Sequence, residues 1–206
     1  MADQLSIYNQ ALLHLKESPL ADLTEERESR RVLDALWASV RQVMLEAGFW
    51  KFAIRTVRIY ADPDIAPNFG LSMAFNKPAD WVKTYLVSAS EYMDPPFYDW
   101  VEESNLFFAD VNPLFVRYVS NATPGYGHDP SRWTGRFAQA FAFELAWRAA
   151  PKAAGSSDSL IERLEKDKMI ALSTALSFEA LREPTRRPPQ GKWNSARFGA
   201  RNFRIG

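Results

Sequence analysis

The chain of 206 residues contains no cysteine. That absence excludes disulfide staples, thiolate metal sites and cysteine nucleophiles, and it suits assembly in a reducing compartment. Only two histidines occur, His14 and His128, so the side chain most used for proton transfer and metal ligation is scarce. No run approaches the ~18–20 apolar residues needed to span a bilayer. The first residues, "MADQLSIYNQALLHLKESP", lack the basic-then-apolar layout of a signal peptide. The expectation is a soluble protein that is not secreted and touches no membrane. A phosphate-cradling glycine loop and a Gly-x-Ser-x-Gly elbow are also missing.

Large apolar side chains are plentiful instead. Fourteen phenylalanines and seven tryptophans supply a core without staples, and the length fits one domain or one domain with a sizeable insertion. Formal net charge is zero, yet the charge is unevenly placed. From Arg182 onward there are seven basic residues against Glu183 alone, which leaves 18 basic and 24 acidic residues before them. Between Lys83 and Arg117 stand six acids (Glu91, Asp94, Asp99, Glu102, Glu103 and Asp110) and no base. An acidic waist and a basic tail on one chain suit head-to-tail contact between copies, and the acids are candidates for an inter-subunit surface.

Leu5, Tyr8, Leu12 and Leu15 follow helical spacing up to Pro19. A second helix is expected from near Thr24, where Glu25, Glu26 and Glu28 suit the positive end of the helix dipole, to Gly48. The period then changes. "FAIRTVRIY", "WVKTYLVSA", "NLFFADV" and "PLFVRYVS" read as strands bounded by Pro, Asn or Asp. Asp129 and Pro130 carry the signature of a third helix start, and Trp133, Phe137, Phe141 and Leu145 mark one face of it. Leu160, Leu164, Leu172, Ala175 and Leu176 mark a fourth helix that ends before Pro184. The expected fold is α+β and mainly α. Helices in 1–52 and a helical hairpin in 129–183 form a four-helix core, a small antiparallel sheet fills an insertion at 53–128, and 184–206 is an extended basic arm.

Chemistry is sparse along this path. His14 has no acid at ligand spacing, and the neighbours His128, Asp129 and Ser131 read as a loop-to-helix turn, since a triad is assembled from separate elements. Asp62, Asp64 and Asn68 hint at a cation loop but lack the glycine and terminal glutamate of an EF-hand. Glu102 and Glu103 are adjacent, so on a strand they face opposite sides and do not work as a pair. Asn121-Ala122-Thr123 matches a glycosylation sequon that stays unmodified without a signal peptide. Catalysis is not expected, and no cofactor or metal is implied.

Four segments in order carry a resemblance: "YNQALLHL", "LADLTEERESRRVLDALWASVRQVMLEAGFWKFA", "AFNKPADWVK" and "HDPSRWTGRFAQAFAFELAWRAAP". Together they resemble the head-to-tail adaptor proteins of short-tailed bacteriophages, of the tail tubular protein A type. Trp50-Lys51-Phe52-Ala53 fills that family's Trp-x-Phe-Ala element after the long second helix, and Pro78-Ala79-Asp80 fills its Pro-x-Asp step. The chain departs at Glu17-Ser18, where relatives often have Leu-Gly before the first turn. The resemblance implies a virion protein at the head–tail junction, assembled in the host bacterial cytoplasm. Its copies would form a ring, usually twelve-fold, below the portal protein and offer a platform to the tail nozzle or tube. Genomic DNA would pass through the channel without specific binding.

The residues suit such a role. Arg182, Arg186, Arg187, Lys192, Arg197, Arg201 and Arg204, with Trp193, Phe198 and Phe203, are expected to dock on the portal or a neighbour, because arginine and aromatics dominate interface hot spots. Pro188-Pro189 stiffens the root of this arm. The alternative is a DNA-binding module built on the same basic, aromatic tail. Two other readings are a carboxylate enzyme, for which the sequence gives no pair, and an interaction domain of some other assembly.

Overall fold

A computed structural model describes residues 2–67, 70–152 and 157–182 of the chain. Among them are four α-helices and two three-stranded antiparallel sheets, the expected α+β fold. Helix α1 (Gln4–His14) opens with a reciprocal cap. Asp3 accepts from the Ser6 amide at 2.8 Å, and the Asp3 amide donates to the Ser6 hydroxyl at 3.1 Å. It closes in a Schellman turn, with Lys16 N–H bonded to Leu13 O and Glu17 N–H to Leu12 O. The left-handed position of that turn falls on Lys16, at φ 61°, and not on a glycine.

Helix α2 (Glu28–Glu46) starts four residues later than Thr24. The cause is local: Asp22 accepts from both the amide and the hydroxyl of Thr24, so this stretch closes on itself before the helix begins. Helix α3 (Gly135–Ala149) likewise begins beyond Pro130. Asp129 and Pro130 make one 3₁₀ turn, Trp133 is extended, and Thr134 caps α3 by accepting from the Phe137 amide at 3.3 Å. Helix α4 (Asp158–Leu181) is capped by Ser157.

α3 packs against all three other helices and is buried almost all round. Lys168 of α4 meets Glu144 and Trp147 of α3, while Thr174 lies with Arg136 nearer the start of α3. Rising numbers on one helix meet falling numbers on the other, so the pair is antiparallel. The bundle core is a chain of rings. Trp37 stacks on Trp133 at 5.8 Å, Phe137 meets Trp50, Phe52 and Trp133 at 4.7–4.9 Å, and Phe141 closes on Trp37 and Trp133. Each buried ring contributes roughly 1.5–3 kcal/mol from area alone.

One small sheet is expected from the sequence; the insertion holds two. Strands β1 (Ile54–Ile59), β6 (Leu114–Ser120) and β3 (Trp81–Ser88) form the first, in that spatial order. Strands β2 (Met73–Asn76), β5 (Leu106–Ala109) and β4 (Trp100–Glu103) form the second. A second layer is needed because β6 and β3 turn Leu114, Val116, Tyr118 and Val87 to one side, and Phe75 and Phe107 cover them. The first sheet also reaches the bundle, where Val82 and Val119 join the helical core.

Candidate functional site

The isolated polar candidates are structural. His14 stacks on Phe143 with ring centroids 3.9 Å apart, and burial lowers its pKa. His128 lies in a 3₁₀ turn, its pKa lowered by burial and then by Arg41 nearby. Asp129 next to it caps the following turn by accepting from the Ser131 amide. Asp62 accepts from the Asp64 amide and from the Asn76 side chain, which makes it a turn-former; Asn68 lies outside the described residues. Among the described residues no cluster of three or more His, Asp or Glu is placed to hold a metal ion. No helix among them is long and apolar enough to cross a membrane.

The richest polar geometry lies at the seam between bundle and insertion. Asp80, just before β3, accepts from Arg55 of β1 at 2.9 Å, from Tyr118 of β6 at 3.0 Å, and from the Ser120 hydroxyl. Its largest influence is burial, which pushes the carboxyl upward, but the Ser120, Arg55 and Tyr118 bonds outweigh it and hold the pKa low. Tyr118 is pushed up in turn, by burial and by the Asp80 charge. A carboxylate so fully occupied is a clamp and a poor proton acceptor. Trp50, fully buried, donates its indole N–H to Met44 O at 2.7 Å and thereby caps the end of α2. Gly127 completes the seam: a Cβ there would stand 2.7 Å from Ser120 O, so only glycine fits.

The six acids between Lys83 and Arg117 are divided by the fold. Glu102 bonds Lys77 at 3.0 Å and accepts from the Thr84 hydroxyl at 2.9 Å, and so ties the second sheet to the first. Asp110 accepts from the amide and hydroxyl of Ser72, which lower its pKa. Glu91, Asp94, Asp99 and Glu103 have no cationic partner among the described residues. Three of these four lie on the β3–β4 connection at residues 89–99, beside Tyr92 and Tyr98, which are 82 % and 81 % exposed.

Of the expected docking arm, Arg182 alone is described. It is the C-cap of α4 and pairs with the buried Glu179 at 3.0 Å, within the helix. Arg186, Arg187, Lys192, Trp193, Arg197, Phe198, Arg201, Phe203 and Arg204 lie outside the described residues. The α4 turns before it are bare: Ile170 is 64 % exposed and Leu181 84 %, with Phe178 between them on the same face.

A surface with no sequence signal of its own lies beside that end of α4. The last turn of α2, the outer face of the first sheet and Leu176–Ala180 enclose a groove of about 1070 Å³. Phe49, Tyr85 and Leu86 give it an apolar floor, while Lys83 and Arg117 bring positive charge. Lys83 sits 4.5 Å over the Phe49 ring and donates to Glu46 O; Phe49 meets Tyr85 edge-on at 5.0 Å. The two-residue period of β3 and β6 puts Lys83 and Arg117 on the face away from the second sheet, a pattern readable only once the pairing is known. No family model and no curated protein matches this chain.

Proposed function

We propose that this protein is a structural virion component, a head-to-tail adaptor that forms a ring below the portal of a short-tailed phage. The ring extends the DNA channel and gives the tail nozzle or tube its platform. The observation that carries this reading is where the resemblance falls. Of the two elements named for it, Trp50-Lys51-Phe52-Ala53 packs in the bundle core at the root of β1, and Pro78-Ala79-Asp80 ends on the carboxylate that ties β1 and β6 together. Trp50 closes the end of α2 and Asp80 joins β1 to β6, so both elements serve the fold at the positions where the resemblance falls. The exposed Phe178 and Leu181, one turn apart at the end of α4 and directly before the basic segment, support the reading further as apolar side chains open to a partner.

The role needs no reaction. A ring subunit must present unlike faces to its neighbours, resist load and let DNA pass. The test is to mix the purified full chain with cognate portal rings and follow mass by light scattering, each component also measured alone. A gain of about a dozen chains per portal ring, from a smaller free protein, is the expected result. Portal rings that gain no mass at any protein excess would overturn the proposal.

A further inference from the structure

The groove and the acidic connection are complementary in three respects. Charge is the first. Among the described residues Lys83 and Arg117 of the groove have no carboxylate partner, Arg117 donating instead to the Thr56 hydroxyl, and the acid that lines the groove, Glu179, is already taken by the Lys51 amide and Arg182. The β3–β4 connection carries Glu91, Asp94 and Asp99 without a cation. Shape is the second. The groove is concave with a floor of rings, and the connection offers Tyr92 and Tyr98, whose rings stand almost fully in solvent. Tyrosine is a side chain with much contact area and little rotamer entropy to lose.

Preorganisation is the third. Residues 89–99 are pinned at their base: the Phe97 amide donates to Val87 O at 2.8 Å, the Ser88 hydroxyl donates to Pro95 O at 3.0 Å, and Met93 is buried. The two tyrosines therefore project from a fixed base, which lowers the ordering cost on binding. Within one chain the two surfaces cannot meet. Phe97 and Trp100 pack on the core between the sheets, whereas Lys83 and Arg117 lie on the opposite face of the first sheet, toward the bundle. Unlike patches on opposite faces make a heterologous contact that chains copies head to tail.

We infer that the β3–β4 connection of one copy seats its Tyr92 and Tyr98 in the basic groove of the next copy, with Asp94 and Asp99 facing Lys83 and Arg117. This contact rests on the ring reading above and assigns the surfaces by which ring neighbours hold each other. Like charges brought face to face oppose association, and opposite charges set register.

The test uses charge exchange in the full chain, with circular dichroism to confirm that each variant is folded. A groove variant carries Lys83→Glu and Arg117→Glu; a connection variant carries Asp94→Lys and Asp99→Lys. Each alone should load portal rings at least tenfold less well than the parent. An equimolar mixture of the two, in which alternating copies make every contact complementary, should recover loading. In parallel, Ala47→Cys on the groove wall and Glu91→Cys on the connection are combined in one chain, which has no native thiol. A short bismaleimide should then join copies into a covalent ladder. Single variants that load like the parent, with no ladder, would overturn the contact and leave the ring reading standing. A parent that never loads portals would overturn the ring reading, and the ladder on free protein would then decide the contact by itself. A groove variant that loses duplex DNA binding, with no recovery in the mixture, would overturn the contact in favour of a nucleic-acid surface.

Discussion

The bundle and the insertion are held together by different physics. Among the described residues the bundle interior is a run of interlocking rings, from Tyr8 through Trp37, Trp133 and Phe141 to Phe137 and Trp50. The insertion has a smaller apolar core and leans on charges placed inside it. Lys77 is almost buried, 3.8 Å over the Trp81 ring and salt-bridged to Glu102, and Asp80 gathers donors from β1 and β6. Apolar packing is non-directional and indifferent to pH, whereas a polar clamp demands geometry and a defined protonation state. The bundle thus supplies stability, and the clamp holds β1, β3 and β6 in register.

Deleting a central ring of the bundle gives the largest effect. Phe137 is fully buried and meets four other aromatic residues, so Phe137→Ala should cost about 3–5 kcal/mol in chemical denaturation. That loss should be the same at pH 7 and at pH 4. A loss that shrinks in acid would mean that the bundle, too, relies on ionised groups.

Asp80→Asn should cost less, about 2–3 kcal/mol at neutral pH, because Arg55 is partly solvated and its pairing is screened. The sign with pH is the opposite of the bundle's indifference. The folded pKa of Asp80 lies below the usual carboxylate value of 3.8, so its stabilisation is complete above that value and is lost as pH falls through the folded pKa. The gap between parent and variant should therefore narrow below about pH 4. A gap that stays constant down to pH 2 would remove the charged clamp from the account of the insertion.

This same contrast explains what the sequence made legible. Helical stripes such as Leu33, Trp37, Val40 and Met44 are periodic, and a period can be read along one chain. The start of α2 was misplaced because Asp22 captures Thr24, a side-chain bond that competes with the helix without altering the acidic pattern after it. Strand β5 is legible because its four residues are all apolar, whereas the equally short β2 ends on Asn76 and β4 on two glutamates, and so two sheets read as one. The clamp is invisible to spacing altogether, since the donors to Asp80 lie 25, 38 and 40 positions away. The acids of the waist read as one block, and only the fold separates Glu102 and Asp110, which brace the sheets, from Glu91, Asp94 and Asp99, which face outward.

The smallest expected effect tests whether the bundle's helix ends are as well fitted as its core. Lys16 holds the left-handed position of the Schellman turn at φ 61°, where a side chain is disfavoured by roughly 1–2 kcal/mol relative to the right-handed region. Lys16→Gly removes that penalty and adds backbone entropy to the unfolded chain, which returns part of the gain. The net should be a stabilisation of about 0.5–1 kcal/mol, read as a higher denaturation midpoint with an unchanged slope. The two bonds of the turn run from backbone amides, so the substitution leaves them in place. A variant less stable than the parent would show that the Lys16 side chain itself holds α1 down, and the strain would then belong with the polar devices of the insertion and not with the packing of the bundle.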